Sequence, residues 1–235
     1  MDDFWHLHHF DWLAELTPDE TEQVRRQAVR RTYRSGEMIF SPEPHPQSVY
    51  LLEQGLVRIY RQSPAGAETT FGYIRPGEIF GELAVFSTRS RESYASAVGA
   101  ARVWRLAREA MMAVLAGHPS IAIAISTQVG SRMKRIESRV EHLVFRSVSS
   151  RLASILLELA EDFGRAEDDH LVLDLQINQH ELGTLIGASR QAVNESLRAL
   201  QRDGVVGRNG RLLTLLRPVA LRQLRDRGHD GDRAE

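Results

Sequence analysis

Short apolar runs rich in β-branched and aromatic residues fill the chain from about residue 35 to residue 107. Each run is bounded by glycine or proline, as in SGEMIF, SVYLLEQGLVRIYR, TTFGYIRPGEIF and ARVWRL. Turn signals at intervals of about 8 to 12 residues predict a small barrel or jelly roll of short strands. Residues 4 to 30 are predicted to form short helices, one of which begins at TPDE (17–20), where Thr17 and Glu20 can form a capping box.

The pattern changes to a long helical stretch after the strands. Within QVGSRMKRIESRVEHLVF, apolar residues recur at alternating steps of four and three, at Val129, Met133, Ile136, Val140 and Leu143. This spacing is that of a heptad seam, and the rest of the helix is charged. We expect the seam to pack against the same helix of a second chain across a two-fold axis. The alternative is packing against the barrel within one chain.

A second α-rich region follows Val144, with a hinge expected at 145–149. RLASILLELAEDFG is predicted to be an amphipathic helix that ends near Gly164, RAEDDH an acidic loop, and LVLDL a short strand. The tail RDRGHDGDRAE is polar and is expected to fray.

The stretch INQHELGTLIGASRQAVNESLRALQRDGVV carries the strongest signal. Asn178 and Glu181 form a capping-box pattern, Gly187 can break the first helix in a left-handed conformation, and Ser189 can cap a second helix that ends at Gly204. The predicted inward faces consist of Leu182, Leu185 and Ile186, and of Val193, Leu197 and Leu200. Two short helices joined by a three-residue turn predict a helix-turn-helix.

The second helix of such a unit presents its N-terminal side chains to base edges in the major groove. The predicted DNA-reading residues are Ser189, Arg190, Gln191, Asn194 and Glu195. VVGRNGRLLTLL is predicted to be a β-hairpin wing with Asn209-Gly210 at its tip, from which Arg208 and Arg211 can reach phosphates. The alternative is a winged domain that contacts protein rather than DNA.

Local charge favours DNA, although the chain as a whole has a net charge of −1. The stretch from residue 175 to residue 225 contains eight arginines and three acidic residues, which gives it an excess of five positive charges. The absence of cysteine excludes disulfides, thiolate–zinc sites and a cysteine nucleophile. No Walker-type loop, Ser-His-Asp context or clustered acid/base pair predicts an enzyme. MDDFWHLHHF is not a signal peptide, and no apolar run reaches 18 residues, so we expect a cytoplasmic protein without a membrane span.

The order of these parts resembles the CRP/FNR family of bacterial transcription regulators. The motifs SGEMIF, YLLEQGLVRIYR, PGEIFGELAVF and GASRQAVNESLRALQRDGVV carry the resemblance over residues 12–222. It implies an α+β chain: an N-terminal β-roll (jelly-roll-like) sensor domain with N-terminal helices (1–108), a long dimerisation helix with its hinge (109–147), and a C-terminal winged helix-turn-helix (148–235). It also implies a homodimer on a two-fold site in double-stranded DNA, contact with RNA polymerase, and an effector in the β-roll coupled to DNA affinity.

The resemblance places an effector pocket at PGEIFGELAVFSTRSRESYAS (76–96). Gly81, Glu82, Leu83 and Arg91 match the cassette that holds phosphate and ribose in cyclic-nucleotide members, but Glu92 replaces its Ser/Thr. A carboxylate about 4 Å from a phosphate costs on the order of 4 kcal/mol at a dielectric near 20, so cAMP is not expected to bind. The long helix completes the predicted pocket with Arg132, and with Ile136 and Glu137 where nucleotide binders have small hydroxyls. Either Glu82 and Arg91 pair in a vestigial pocket, or the pocket takes another ligand; DNA binding without an effector is equally compatible.

The DNA-reading positions depart from the cAMP type as well. Those readers use Arg-Glu and then an arginine one turn on, whereas here Arg190 is followed by Gln191 and Glu195. Glutamate cannot donate to guanine, so a different half-site is expected.

FWHLHHFDW places His6 and His9 three residues apart, on one face if the segment is helical. Neutral imidazoles can ligate a metal or haem iron, and some family members sense gases through haem. A haem- or metal-dependent sensor is therefore an alternative function. Packing or surface roles for these histidines are the simpler interpretation, because no third ligand is evident and His45 is isolated.

Overall fold

The computed structural model describes residues 16–44, 47–83, 90–167 and 170–227. The chain divides into two compact units, Met1–Met133 and Lys134–Glu235. The elements of the first unit are α1 (Pro18–Gln27), β1 (Ala28–Tyr33), β2 (Met38–Phe40), β3 (Ser48–Gln62), β4 (Glu68–Ile74), β5 (Ile79–Phe80), β6 (Tyr94–Ala107), α2 (Arg108–Gly117) and the first half of α3 (Pro119–Phe145). The second unit contains the rest of α3, then α4 (Val148–Phe163), β7 (Gly164–Glu167), β8 (His170–Leu173), α5 (Gln179–Ile186), α6 (Arg190–Arg202), β9 (Val206–Asn209), β10 (Leu212–Leu215) and α7 (Pro218–Arg227).

An antiparallel β-roll forms the first unit, as the strand pattern predicts. Its strands run in the order β1-β6-β3-β4, and β2 and β5 pair with β6 and β3. The long strands β3 and β6 pair from Ser48↔Ala107 to Tyr60↔Tyr94, with register shifts on both sides of Gln54. Gly55 sits at this bend with φ +91, and a Cβ there would lie 2.2 Å from the Ala100 carbonyl oxygen. Only glycine therefore allows the two strands to approach at this corner.

Aromatic side chains fill the interior of the roll. Phe40, Tyr50 and Phe80 are buried, and the Tyr50 and Phe80 rings stack with centroids 5.3 Å apart. A second apolar cluster, which includes Leu106, Met111 and Ile121, joins the roll to α2 and α3. The described part of the roll therefore has a packed aromatic and aliphatic core.

The N-terminal helix starts where the sequence predicts but ends earlier. Thr17 and Glu20 form both halves of the capping box of α1. The helix ends at Gln27, and Ala28–Tyr33 is a strand instead of the helix predicted to residue 30, because this segment pairs with β6 from Ala28↔Leu106 to Tyr33↔Ala101. Backbone pairing between distant segments has overridden the local preference.

The second unit is a winged helical domain. The helices α4, α5 and α6 pack together, and α7 packs on α4. The sheet order is β7-β8-β10-β9. The strand β7 was not expected, since RAEDDH was predicted to be an acidic loop; Gly164–Glu167 instead pairs with β8 and widens the wing to four strands. Within this unit α3 is held to α4 by two ion pairs, Arg135–Asp162 at 2.5 Å and Arg139–Glu158 at 2.5 Å.

None of the helices in the described part of the chain is by itself long and apolar enough to cross a membrane. The α2–α3 pair satisfies length and composition only when its two helices are taken together, and they meet at a bend of 115°.

Candidate nucleic-acid interface and effector pocket

The helix-turn-helix is built from the local signals that the sequence contains. The Asn178 side chain accepts hydrogen bonds from the backbone N–H groups of His180 and Glu181, and the Glu181 carboxylate accepts one from the Asn178 N–H. Ser189 Oγ accepts from the Ala192 N–H at 3.1 Å and caps α6. These caps satisfy the N–H groups that would otherwise be exposed at each helix start.

The turn between α5 and α6 depends on two glycines. Gly187 adopts the left-handed conformation with φ +61, and a Cβ there would lie 2.6 Å from Leu143 Cδ2. At Gly183 a Cβ would lie 2.5 Å from the Ala188 carbonyl oxygen. The first helix and the turn are thus packed too closely for any side chain at residue 183. Beneath α6, Val193, Leu197 and Leu200 are buried as predicted.

We expect Gly183→Ala to destabilise the winged domain by about 1–3 kcal/mol, because its methyl group must displace turn backbone rather than a flexible side chain. At this chain length such a loss lowers Tm by roughly 2–12 °C. Gly117→Ala is the matched control, since a Cβ on that helical glycine meets nothing within 4 Å. Equal Tm values for Gly183→Ala and wild type in a thermal melt would contradict the close packing.

The predicted base-reading side chains lie together on one exposed face. Ser189, Arg190, Gln191 and Glu195 are exposed and Asn194 is half-buried, all within the first two turns of α6. Gln191 Nε2 donates to Glu195 Oε1 at 3.1 Å, so these two side chains orient each other. In the described part of the chain Arg190 has no ion pair or hydrogen bond from its guanidinium, which leaves its donors available to a ligand.

The wing has the predicted hairpin, with a tip one residue further on. Leu212 pairs with Asn209, so the turn consists of Gly210, with φ +60, and Arg211. Arg208 and Arg211 are exposed on this hairpin. Arg217, by contrast, donates Nε to the Gly204 carbonyl oxygen at 3.2 Å and stabilises the end of α6.

One functional candidate was missed by sequence reasoning. Arg198 is exposed on α6, two turns after Arg190. Its spacing of eight residues puts it about 80° around the helix from Arg190, at the edge of the same broad face, and that periodicity is the signal that could have identified it.

In the predicted effector pocket, the structure brings Glu82 to the long helix. Glu82 is 8% exposed, and Arg132 Nη1 lies 3.6 Å from its Oε2. Arg132 also donates to the Ile79 carbonyl oxygen at 2.7 Å, and Gln128 donates to the same oxygen at 2.9 Å. The cassette carboxylate therefore shares the Arg132 cation of α3 with Glu78, whose Oε2 also lies 3.6 Å from Arg132.

Arg91 is a buried cation with protein partners around its guanidinium. It is 7% exposed, lies over the Phe40 ring at 4.1 Å, and donates to the Ser48 carbonyl oxygen at 2.9 Å. Its Nη1 lies 3.0 Å from Glu43 Oε1, at ion-pair distance but without hydrogen-bond alignment. The Glu82–Arg91 ion pair considered from the sequence is thus not what the structure shows, since each side chain has another partner.

The remaining cassette residues are distributed around this centre. Gly81 has φ +71, and a Cβ there would lie 3.1 Å from Tyr50 Cδ2 and 3.3 Å from Arg91 Nη2, so this glycine leaves space for the aromatic core and for the arginine. Leu83 is 63% exposed. Glu92 was expected beside a phosphate, but it lies on the surface in an ion pair with Arg61. Extended neighbours point to opposite faces, so burying Arg91 exposes Glu92.

Two sets of predicted site residues stay predictions. Ile136 and Glu137 belong to the second compact unit, on the continuation of α3. His6, His9 and His45 lie outside the described residues, and among the described residues no cluster of three potential ligands could hold a metal.

The predicted dimer seam is largely exposed on the single chain. Met133, Val140 and Leu143 are 56%, 55% and 48% exposed, while Val129 packs partly against the core of the first unit. Ile136 is half-buried. Exposed apolar side chains at heptad spacing are typical of a helix that lacks its partner.

Known proteins match both parts of the chain. Residues 30–118 match the cyclic nucleotide-binding domain family, and residues 150–224 match the Crp-like helix-turn-helix domain family. The cyclic AMP receptor protein of Thermus thermophilus is 31% identical over 191 residues, which cover 81% of this chain and 85% of that protein. A CRP-like cAMP-activated global transcriptional regulator of Mycobacterium tuberculosis is 28% identical over 196 residues, covering 83% of this chain and 88% of that protein.

A solved structure agrees with these matches. The crystal structure of a CRP/FNR-family transcriptional regulator from Thermus thermophilus has a TM-score of 0.69 and 25% identity, and the match covers 84% of this chain and 98% of that one. The β-roll, the long helix and the winged helix-turn-helix occur here in the order that the sequence predicts. The chain therefore belongs to the CRP/FNR family of transcription regulators.

Proposed function

We propose that this protein is a homodimer that binds a two-fold DNA site in sequence-specific fashion and regulates transcription there. The observation that carries the proposal is the exposed start of α6, where Arg190 has no side-chain partner among the described residues and lies beside the oriented pair Gln191–Glu195. Arginine can bind guanine O6 and N7 bidentately, and glutamate can accept from cytosine N4. Arg208 and Arg211 are proposed to contact phosphates and set the register.

Dimerisation through α3 is part of the same proposal. The exposed seam residues Met133, Val140 and Leu143 would be covered by the same residues of a second chain. Two recognition helices related by a two-fold axis read half-sites one DNA turn apart. We also propose a cytoplasmic location, contact with RNA polymerase, and no enzymatic activity, in keeping with the family.

A random-duplex selection tests this function. Purified, ligand-free protein is incubated with duplexes that contain a random central region, and the bound fraction is sequenced. We expect an inverted repeat whose half-sites are centred about 10 base pairs apart. Recovery of unselected sequences, at low and at physiological salt, would contradict specific recognition.

Cyclic AMP is proposed not to be the effector. A phosphate would need the guanidinium of Arg91, which is buried against Phe40 and engaged by Glu43 and the Ser48 carbonyl. Binding would have to break this ion pair, and a ligand shifts an equilibrium only by its differential affinity for the two states. Two relatives have cyclic AMP in their names. We propose that in this chain the β-roll is instead held in one conformation by contacts among its own residues.

We therefore expect cAMP to change operator affinity by less than about twofold. The measurement is fluorescence anisotropy of labelled operator DNA with and without about 1 mM cAMP, a concentration at the upper end of typical KM values for small substrates. Glu43→Gln is the informative variant, because it removes the competing carboxylate and keeps the side-chain shape. Saturable cAMP binding to the wild-type protein in calorimetry would overturn this proposal. Binding gained only in Glu43→Gln would support it directly.

A further inference from the structure

A cavity of about 390 Å³ lies within the second unit, away from the exposed face of α6. Its wall is formed by the end of α3, by α4, by α5 and by α7, to which Leu185 and Arg225 contribute. The volume is that of a small-molecule site. Neither the proposed DNA contacts nor the seam uses it.

Two arginines of the wall have unmatched donors. Arg146 lies between α3 and α4, and Arg151 lies near the start of α4. The Nε atom of each is buried and has no hydrogen-bond partner among the residues that the structure describes. Arg146 uses one other donor, Nη1, toward the Arg225 carbonyl oxygen at 2.9 Å. In the described residues Arg151 has no side-chain hydrogen bond or ion pair, and burial lowers its pKa.

Two of the three carboxylates of the wall pair with other arginines. Glu158 pairs with Arg139 at 2.5 Å, and Asp226 pairs with Arg225 at 2.8 Å. The third carboxylate belongs to Glu161, an exposed residue whose pKa is nevertheless raised by partial burial of the carboxyl group; the cations that act on it are Arg135 and Arg225. Arg151 therefore lines the cavity without a counter-charge committed to it among the described residues, whereas Arg146 shares the carboxylate of Asp226 with Arg225.

We propose that this cavity binds a small oxyanion, a phosphate or carboxylate group, between Arg146 and Arg151. A guanidinium offers planar pairs of N–H donors that match two oxygens of such a group. An anion there would place a counter-charge beside both guanidinium groups and offset the desolvation of Arg151. Because α5 forms part of the wall, the ligand would contact the same packed helices that position α6.

Isothermal titration at low ionic strength tests the site with two probes, inorganic phosphate and succinate, against a sodium chloride blank. We expect one saturable site per chain for at least one probe. Which of the two saturates identifies the preferred group. Arg151→Met and Arg146→Met, each made separately, should weaken binding by at least about tenfold, because each removes one guanidinium group.

Arg165→Met is the matched control. Its side chain is 61% exposed on β7 and pairs with Glu167 outside the cavity, so binding should be unchanged. Circular dichroism and thermal melts establish that each variant is folded, and either cavity variant alone suffices if the other does not fold. The proposal is overturned by absence of saturable binding for both probes, by wild-type affinity in a folded cavity variant, or by an equal loss in Arg165→Met.

Discussion

Arg190→Met should reduce affinity for the selected operator by at least about 30-fold, with little change in binding to unrelated DNA. A bidentate arginine–guanine contact is worth about 1–3 kcal/mol of discrimination, and a dimer makes it twice. The sum, about 2–6 kcal/mol, corresponds to roughly 30-fold to 20,000-fold in the dissociation constant. Methionine keeps the unbranched stem and removes every donor, so the change isolates the guanidinium.

Loss of fold cannot account for this expected result. Arg190 is the first residue of α6 and is exposed, and a positive charge at a helix N-terminus is unfavourable for the helix dipole. Its removal should leave the domain at least as stable. Anisotropy titrations at several salt concentrations would show a lower specific affinity.

Arg165→Met, which also removes one positive charge from an exposed position of the same unit, serves as control and should bind the operator as wild type does. Equal losses in the two variants would mean that only net charge matters and that α6 does not read bases.

The helix-turn-helix could be predicted almost residue by residue, because its determinants are local. Caps at Asn178 and Ser189 and the left-handed Gly187 act over three or four residues, and the structure shows each in the expected role. The apolar face of α6 follows from helical periodicity alone. Such signals require no knowledge of distant partners.

The effector pocket could not be predicted in the same way, because its charges are paired over long sequence distances. Arg91 is held by Glu43, which lies in an unremarkable SPEPHP segment, and Glu82 is held by Arg132 of α3. Sequence reasoning placed Glu92 near a phosphate from a motif match, whereas in the structure its side chain lies on the surface beside Arg61. The residue with which a charged side chain forms an ion pair is determined by the tertiary fold.

The strand β7 is a second feature that local sequence could not predict, in this case at the level of secondary structure. GRAE has no apolar alternation, and its prediction as a loop follows the composition of the segment. It becomes a strand because β8 offers it a hydrogen-bonding edge from Gly164↔Leu173 to Glu167↔His170. A polar edge strand of this kind is stabilised by its neighbour rather than by its own propensity.

Val140→Asp should convert the protein to a monomer at micromolar concentration and abolish two-fold operator binding. The side chain is 55% exposed on the single chain, so the substitution costs little within a protomer. In the proposed dimer the same position faces its own copy at the seam, and two carboxylates would be buried beside each other. The expected penalty of several kcal/mol corresponds to at least about a 100-fold weaker dimer.

Ser131→Asp separates this effect from the general cost of a carboxylate on α3. Ser131 is exposed on the same helix but lies on the side opposite the heptad seam, so this variant should remain dimeric. Sedimentation velocity over a range of concentrations would measure both variants, and operator binding would follow the dimer fraction. A monomeric wild type would refute the two-fold arrangement, and a dimeric Val140→Asp would show that the seam is not its interface. If Val140→Asp is monomeric, the exposed apolar stripe of α3 is what holds together the two chains whose recognition helices read the two half-sites.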